Sequence, residues 1–259
     1  MTYHAFAKVN IFLKIVGKRG HYHELQSRFM RVENLYDVLV LTPKKTEEPF
    51  ELHGEFGCAL QQNTIYKAYV ALQEAGFKAA LTALFDRYSL TVEKHIPSFA
   101  GLGGGSSDAA SFLHLVNDMA ALNLDHDTLA QIGIKVGADV PFFVYNYHSA
   151  NVSGIGEIVE PFEEPPLKLD VFTPNIKCNT AEIYKAFREH YKIDLELSDK
   201  MSHMKSKTLL ETYQDYELND LLSPAIKVNK QIEDYRKKDW FFSGSGSSFF
   251  SMKETDKNG

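Results

Sequence analysis

The stretch PSFAGLGGGSSDAA, residues 97–110, limits what this chain can fold into more than any other part of the sequence. Its three consecutive glycines, Gly103 to Gly105, allow a sharp turn and a close approach to a ligand, because no Cβ intervenes. Ser106, Ser107 and Asp108 are residue types that cap a helix start, and apolar residues then recur at helical spacing. A turn that opens into a helix N-terminus presents unpaired N–H groups at the positive end of the helix dipole. The stretch therefore predicts an anion-binding loop, most often a phosphate cradle, rather than a mobile linker.

The loop lacks the two commonest nucleotide-binding motifs. Ser106 lies five residues beyond Gly101 and no lysine follows, so GxxxxGK[ST] does not fit. The dinucleotide pattern GxGxxG fails as well, because Ser106 stands where the third glycine belongs. GLGGGSSDAA instead resembles the second signature of the GHMP kinases, which include galactokinase, homoserine kinase, mevalonate kinase and phosphomevalonate kinase. Its triple glycine is most similar to the form in the 4-diphosphocytidyl-2-C-methyl-D-erythritol kinase family.

Length and composition restrict the class of protein. A chain of 259 residues that is 44% hydrophobic can bury one large core or two modest ones. The net charge of −6, without a Lys/Arg cluster, argues against a nucleic-acid partner. Cys58 and Cys178 lack metal-ligand spacing, and no signal peptide or long apolar run occurs. We therefore expect a cytoplasmic protein with a small-molecule partner and no membrane partner, as a monomer or homodimer.

The N-terminal segment His4 to Val16 alternates apolar and mixed positions, which predicts a strand with one apolar face. Lys8 and Asn10 lie on the opposite face, roughly 6.5 to 7 Å apart, a span that one phosphorylated ligand can bridge. The alternative is that this second face is merely solvated. AKVNIFLKI resembles the first signature of the same kinase family, AK-x-N-x-x-L. The resemblance implies that Lys8 is catalytic and that Asn10 orients the substrate.

Residues 17–29, GKRGHYHELQSRF, contain a glycine-marked turn followed by Tyr22 and His23. His21 and His23 could pair on a metal, but no third ligand is near in sequence. Alternatively, Tyr22 and His23 form a flat, hydrogen-bonding platform for a base. The family carries G-Y-H here, with the tyrosine and histidine at the cytosine of its substrate, whereas this chain has His21 in place of the glycine.

The segment GADVPFFV, residues 137–144, places Asp139 among apolar neighbours. An aspartate two residues before a proline is commonly a turn residue. An unpaired carboxylate beside Val140 and Phe142 is costly, however, so we expect it to have a partner. GADVP-x-F resembles the family segment that holds the catalytic aspartate, opposed by the lysine that matches Lys8. We therefore interpret Asp139 as a base.

The remaining patterns predict further strands and helices. Asn63 caps a helix that ends at Gly76, and Ser223 caps another over Pro224 to Lys237. Asn63 faces the nucleotide in the family, but the cap is the plainer account, and Lys94 is expected to be a solvated lysine at a strand end. The other predicted strands are RFMRV, LYDVLVLT, YSLTVEKH, the two arms of SANVSGIGEIVEPF, LKLDVFTP and the two arms of WFFSGSGSSFFSM; the other predicted helices follow Ser107, Asp125 and Asn179 and span Met201 to Tyr213.

The prolines of EPFEEPP give the best boundary, so we expect an N-terminal domain over 1–160 and a C-terminal domain over 161–259. The resemblance implies an α+β, two-domain GHMP kinase fold: an N-terminal half like ribosomal protein S5 domain 2, a ferredoxin-like C-terminal half and an active site in the cleft between them. Gly244 and Gly246 resemble the third signature of the family, and Lys177 to Thr180 match residues that border its base pocket. Family members commonly continue with a helix and a strand after the third signature, where the given sequence has only KETDKNG; a short natural end and a trimmed end are both open.

The resemblance implies ATP-dependent phosphorylation of a hydroxyl of 4-diphosphocytidyl-2-C-methyl-D-erythritol, in the non-mevalonate isoprenoid pathway, with ATP and Mg²⁺ as cofactors. Ser106 or Ser107 is the expected metal ligand. The residues expected at ATP are Pro97, Gly101, Gly103, Gly104, Gly105, Ser106 and Ser107. The alternatives are a sister kinase acting on homoserine or a mevalonate intermediate, a diphosphomevalonate decarboxylase, and a nucleotide-binding regulator without catalysis.

Overall fold

The computed structural model describes residues 1–253, and the chain forms two compact units. Unit 1 comprises Met1–Ala7, Leu35–Ser98 and Gly103–Asn146, and unit 2 comprises Lys8–Asn34, Phe99–Leu102 and the chain from Tyr147. Residues 254–259, the end of the expected C-terminal domain and of the segment after the third signature, lie outside the described residues. Each unit contains both helices and strands, which confirms mixed α and β content.

Two long strands begin the chain. β1 spans Thr2–Arg19 and β2 spans Tyr22–Pro43, and they pair with each other across a turn in which Gly20 has a φ of 61°. The predicted N-terminal strand is confirmed, but a solvated second face is wrong, because Lys8 and Asn10 are 4% and 2% exposed. RFMRV and LYDVLVLT are predicted as two strands, but they form one, because β2 continues without a break through Glu33 and Asn34.

Unit 1 contains the second half of β2 and two further strands, β3 (Leu52–His53) and β4 (Tyr88–Glu93). Residues 38–43 of β2 pair antiparallel with β4, and β3 pairs parallel with β4. The helices of this unit are α1 (Thr64–Leu72), α2 (Lys78–Phe85), α3 (Gly104–Met119), α4 (His126–Gly133) and α5 (Val140–Tyr145).

The helix predicted after Asn63 begins as expected and ends differently. The Asn63 side chain accepts a hydrogen bond of 2.8 Å from the Ile65 amide, which confirms the cap. Regular α-helix ends at Leu72, and a π-helical turn at Gln73–Phe77 leads directly into α2. Gly76, with a φ of 100°, breaks the helical backbone, but a second helix follows at once, which the sequence pattern did not indicate.

The core of unit 1 is aromatic. Phe50 stacks on Tyr69 with ring centroids 4.3 Å apart, and Phe85 stacks on Phe112 at 5.9 Å. Phe112 belongs to α3, and α1, α4 and α5 pack on that helix. The helix that carries the glycine loop is therefore fixed by buried rings and by three neighbouring helices.

The described part of unit 2 contains residues 8–19 of β1, the first half of β2 and five further strands: β5 (Ser149–Gly154), β6 (Ile158–Pro161), β7 (Leu169–Phe172), β8 (Phe241–Phe242) and β9 (Phe249–Met252). Residues 25–30 pair antiparallel with β5, β5 forms the predicted hairpin with β6, and β9 lies between β7 and β8. The helices are α6 (Thr180–His190), α7 (Leu195–His203), α8 (Ser206–Thr212), α9 (Asp215–Leu218) and α10 (Leu222–Val228).

Two helix predictions in unit 2 need correction. The helix expected from Met201 to Tyr213 is split into α7 and α8, with extended backbone at Met204 and Lys205. Ser223 is not a cap but lies inside α10, which begins at Leu222. The α-helix predicted to reach Lys237 ends at Val228 and is followed by a 3-10 helix over Lys230–Tyr235. Within the described part of the chain, no helix has both the length and the apolar character needed to cross a bilayer.

Candidate functional site

The glycine loop ends in the geometry expected for an anion site. Gly103 precedes α3 in left-handed conformation, with a φ of 71°, and supplies no side-chain cap. The Ser107 amide donates to the Gly103 carbonyl at 2.9 Å, which closes the first helical turn. The amides of Gly104, Gly105 and Ser106 thus precede the first amide that donates within the helix, that of Ser107, and are available to a bound anion.

Close packing explains two of these glycines independently of any ligand. A Cβ on Gly104 would lie 2.9 Å from Cγ2 of Ile96, and one on Gly105 would lie 3.2 Å from Oγ1 of Thr64. Thr64 also donates a hydrogen bond of 2.5 Å to the Gly105 carbonyl. The first turn of α3 therefore lies directly against its own unit, and this contact requires residues without side chains.

The entry to the glycine loop packs on the third signature within unit 2. Gly101 has a φ of 76°, and a Cβ there would lie 2.3 Å from the Ser243 carbonyl oxygen. Ser243 Oγ donates to the Gly101 carbonyl at 3.1 Å, and the Ser248 amide donates to the Ala100 carbonyl at 3.1 Å. Gly244 and Gly246 also have positive φ values, of 58° and 88°. The turn between β8 and β9 thus supports the loop residues 100–101.

Lys8 and Asn10 lie together, as their spacing on one strand predicts. Lys8 Nζ donates to Asn10 Oδ1 at 2.7 Å and to the Gly101 carbonyl at 3.3 Å, and it lies 4.3 Å from the centroid of the Phe29 ring. Asn10 Nδ2 donates to Ser27 Oγ at 2.9 Å. The ammonium group of Lys8 is therefore held in a buried polar network next to the glycine loop's entry.

Asp139 belongs to unit 1, directly before α5, and it is half-buried. Its neighbours Val140 and Phe142 are buried, as predicted. A Cβ on Gly137 would lie 3.7 Å from Ser106 Oγ, so the turn before Asp139 lies beside the first turn of α3. The structure thus brings the segment of Asp139 next to one of the two serines predicted to hold a metal.

The two candidate serines differ in access. Ser107 is 2% exposed, whereas Ser106 is half-buried. Across residues 1–253, no group of three or more His, Cys, Asp or Glu residues could hold a metal ion. A cation at this loop would therefore be held mainly by the oxygens of a bound phosphate, and Ser106 is the serine with a hydroxyl accessible to it.

A cavity of about 510 Å³ surrounds the predicted base platform in unit 2. The His23 ring stacks on Tyr184 with centroids 4.9 Å apart and an interplanar angle of 26°. The His23 Nε2 atom is buried and, within the described chain, has no hydrogen-bond partner. Tyr22 is 66% exposed and also lines the cavity. A buried, unpaired ring nitrogen beside an exposed aromatic ring suits a flat ligand with hydrogen-bonding edges.

Burial lowers the pKa of His23, and the nearby charges of Arg188 and Lys18 lower it further. The imidazole is therefore neutral at neutral pH, with one ring nitrogen as a donor and the other as an acceptor.

Three residues of functional interest were not predicted from the sequence. Two of them, Tyr184 and Arg188, line the cavity together with Thr180, which ends the predicted segment from Lys177. The sequence does contain a pattern that points to these two residues. Thr180, Tyr184 and Arg188 are spaced by four along α6 and therefore lie on one helix face. The third is Asp108, which pairs with Lys94 behind the glycine loop. The Lys94 side chain is ion-paired and 13% exposed, so the expectation that it is solvated is wrong.

The comparisons with known proteins agree on one family. The family model for the GHMP kinases N terminal domain matches residues 63–147. A 4-diphosphocytidyl-2-C-methyl-D-erythritol kinase of Sulfurimonas denitrificans is 51% identical over 98% of this chain and 97% of its own length. The enzyme of the same name from Helicobacter pylori (strain J99) is 40% identical over 99% of this chain and 96% of its own.

A solved structure supports the same assignment. A crystal structure of 4-(cytidine 5'-diphospho)-2C-methyl-D-erythritol kinase superposes with a TM-score of 0.78 at 31% identity, covering 98% of this chain and 90% of that one. A homoserine kinase from Cytophaga hutchinsonii, at 15% identity and a TM-score of 0.61, shares the GHMP kinase fold. The chain therefore belongs to the 4-diphosphocytidyl-2-C-methyl-D-erythritol kinase family of the GHMP kinases.

Proposed function

We propose that this protein transfers the γ-phosphoryl group of ATP to a hydroxyl of 4-diphosphocytidyl-2-C-methyl-D-erythritol, a step of the non-mevalonate isoprenoid pathway. The observation that carries this assignment is the cavity around His23, with its stacked Tyr184 and its unpaired ring nitrogen. A kinase for homoserine or mevalonate shares the glycine loop but needs no platform for a base. Kinase activity itself is what family membership implies.

Phosphoryl transfer depends on alignment and charge stabilisation more than on covalent chemistry by the protein. The amides at the start of α3 are proposed to hold the β- and γ-phosphates of ATP. Pro97 and Gly101 shape the entry of the loop, and Gly103, Gly104 and Gly105 its turn. Ser106 and Ser107 complete the set of residues proposed at the nucleotide.

We assign Asp139 as the general base that accepts the proton of the attacking hydroxyl. The assignment is supported by the half-buried position of Asp139 directly before α5, two residues after Gly137, which lies beside Ser106 at the first turn of α3. Lys8 is proposed to stabilise the ionised form of Asp139 and the negative charge that develops on the transferred group. Asn10, which fixes the Lys8 ammonium, orients the same hydroxyl by hydrogen bonding.

Mg²⁺ bound to the nucleotide would neutralise part of the phosphate charge and align the oxygens for transfer. The donor set fits such an ion, because Mg²⁺ often keeps several waters and takes few protein ligands. We propose Ser106 as its protein ligand, because the Ser107 side chain is buried.

The proposed architecture follows the family. Residues 1–160 form a nucleotide-binding half that resembles ribosomal protein S5 domain 2, residues 161–259 form a ferredoxin-like half, and the active site lies in the cleft between them. The enzyme is proposed to act in the cytoplasm on this small molecule. Sedimentation analysis would distinguish a monomer from a homodimer.

The decisive experiment incubates the protein with ATP, Mg²⁺ and a panel of alcohols, and measures ADP. ADP formation with the cytidine-bearing substrate alone is the expected result. Preference for homoserine or mevalonate would identify a sister kinase, carbon dioxide release from diphosphomevalonate would identify a decarboxylase, and nucleotide binding without ADP formation would identify a regulator.

The base assignment is tested by Asp139→Asn. This variant should bind ATP nearly as the wild type does and turn over at least about a hundredfold more slowly, because a general base contributes about 10² to 10⁴ in rate. Near-normal turnover would remove Asp139 from this role.

A further inference from the structure

A buried charge cluster lies behind the glycine loop, and the proposed chemistry does not use it. Lys94, after the end of β4, donates from Nζ to Asp37 Oδ2 on β2 and to Asp108 Oδ2 on α3, the latter at 2.5 Å. The Asp37 and Asp108 side chains are 0% and 3% exposed. One ammonium group is thus shared by two carboxylates away from solvent.

The cluster holds both ends of the glycine loop. Asp37 Oδ1 accepts hydrogen bonds from the amides of His95 and Ile96, at 2.5 and 2.8 Å, just before the loop begins at Pro97. Asp108 lies in α3, five residues beyond Gly103, where the loop has ended. Because Lys94 contacts both carboxylates, the entry and the exit of the loop are tied to a single side chain.

Asp108 also carries an unsatisfied oxygen. Its Oδ1 is buried and has no hydrogen-bond partner among residues 1–253. The pKa of Asp108 is raised to about 7, mainly by burial and in part by Asp37, while Lys94 opposes the shift. The charged groups that act on this carboxyl are Lys94 after β4 and Asp37 on β2.

We propose that Asp37, Lys94 and Asp108 form a buried brace that positions the glycine loop for the triphosphate of the nucleotide. The proposal rests on the proposed function only in identifying ATP as the ligand. The three side chains are positioning residues, because they act through the backbone of residues 95–107. A displacement of this backbone by about 1 Å is enough to cost substantial catalysis at a preorganised site.

The first test is Lys94→Met, with Lys78→Met as the control at an exposed lysine of the same unit. We expect the KM for ATP to rise at least about tenfold, with the KM for the acceptor within about twofold of wild type. A KM for ATP within about twofold of wild type would overturn the proposal.

Variants of Asp37 distinguish two roles for Lys94: bracing of the loop and direct contact with the nucleotide. Asp37→Ala removes the acceptor of the His95 and Ile96 amides and should raise the KM for ATP as Lys94→Met does. Asp37→Asn retains an acceptor oxygen and should restore much of the loss. If Lys94→Met alone has an effect, Lys94 acts by direct contact and the brace is refuted.

Lys94→Met leaves two carboxylates together in a buried position, which can prevent folding. The triple variant Asp37→Asn, Lys94→Met, Asp108→Asn removes all three charges with similar shapes and is the alternative protein for the same assay. It should fold and still show the raised KM for ATP. A folded triple variant with the wild-type KM would count against the brace.

Hydrogen exchange of the nucleotide-free protein tests the brace without any enzyme activity. The amides of residues 95–107 should exchange faster in Asp37→Ala than in wild type, while the rest of unit 1 remains protected. Unchanged exchange there would refute the brace. If instead the wild type fails to form ADP while exchange changes as expected, the proposed function fails and the brace stands.

Discussion

The glycine loop and the cavity around His23 are built in different ways. In the loop, backbone packs tightly against backbone: a Cβ on Gly101 would lie 2.3 Å from the carbonyl oxygen of Ser243. The cavity consists of side chains on a strand and on one face of α6, and its Tyr22 is 66% exposed. The glycine loop is thus formed by tightly packed backbone, whereas the cavity is formed by side chains near the surface.

This difference separates two kinds of mutational effect. A change in the loop alters the structure that supports it, so stability and ligand binding should fall together. A change in the cavity removes a contact with the ligand, so affinity should fall while stability remains. The reason is that backbone in a tightly packed turn cannot relax around an added atom, whereas exposed rings leave space when they are truncated.

The largest effect is expected for Gly101→Ala, with Gly20→Ala as its matched control. Both glycines have a positive φ, but a Cβ on Gly20 has no atom within 4 Å. The control should cost about 1 kcal/mol, the penalty of left-handed backbone for alanine, and Gly101→Ala should cost at least about 3 kcal/mol because a clash is added. Urea unfolding measures both. Equal losses would mean that the loop relaxes freely.

The next effect concerns Tyr22 and His23 replaced together by alanine. The KM for the cytidine-bearing substrate should rise about ten- to a hundredfold, since a stacking contact and a hydrogen bond are both lost. The affinity for ATP and the midpoint of urea unfolding should remain near wild type. Weaker ATP binding with an unchanged substrate KM would show that the two sites have been assigned the wrong way round.

A smaller effect is expected for Tyr184→Leu. Leucine keeps apolar contact with His23 but removes the stacked ring, so the substrate KM should rise about two- to tenfold, the equivalent of one aromatic pair. Tyr184→Phe should keep the wild-type value if the ring is what matters. A large loss with phenylalanine would instead assign the role to the hydroxyl group.

The smallest effect is the pH dependence of folding stability that arises from His23 in the cavity. Since the folded-state pKa of His23 lies below its ordinary value near 6.5, protonation of this ring opposes folding. Its contribution to stability is complete above about pH 6.5 and is lost as the pH falls through the lower folded-state pKa. Arg188→Leu should raise this pKa, which an NMR titration of the His23 ring measures. An unchanged pKa of His23 in this variant would show that the charge of Arg188 is too well solvated to lower the pKa of the ring.

Residue types and periodicity were sufficient for the local elements. The cap at Asn63, the helix after the glycine loop, the β5–β6 hairpin and the strands around Gly244 and Gly246 all occur where the pattern places them. These features depend on neighbours in the chain: a side-chain oxygen next to a helix start, alternation along a strand, or a glycine at a turn.

Features that depend on distant residues were missed. The length of β2 depends on its partners β4 and β5, and the second helix after Gly76 depends on packing that overrides a glycine. Asp108 follows two serines and has the residue type of a helix cap, but in the structure it pairs with Lys94 inside the unit. No local pattern distinguishes such an aspartate from a cap.

The sequence by itself determined the family and the identity of the candidate residues, because the motifs AKVN, YH, GLGGGSSDAA, GADVPFF and SGSG are short runs whose chemistry can be recognised in order along the chain. Tertiary structure alone decided that Tyr184 stacks on His23, that Gly101 must lack a side chain beside Ser243, and that Lys94 joins two buried carboxylates. Each of these depends on residues that are far apart in the chain, and only the folded backbone sets the distance between them.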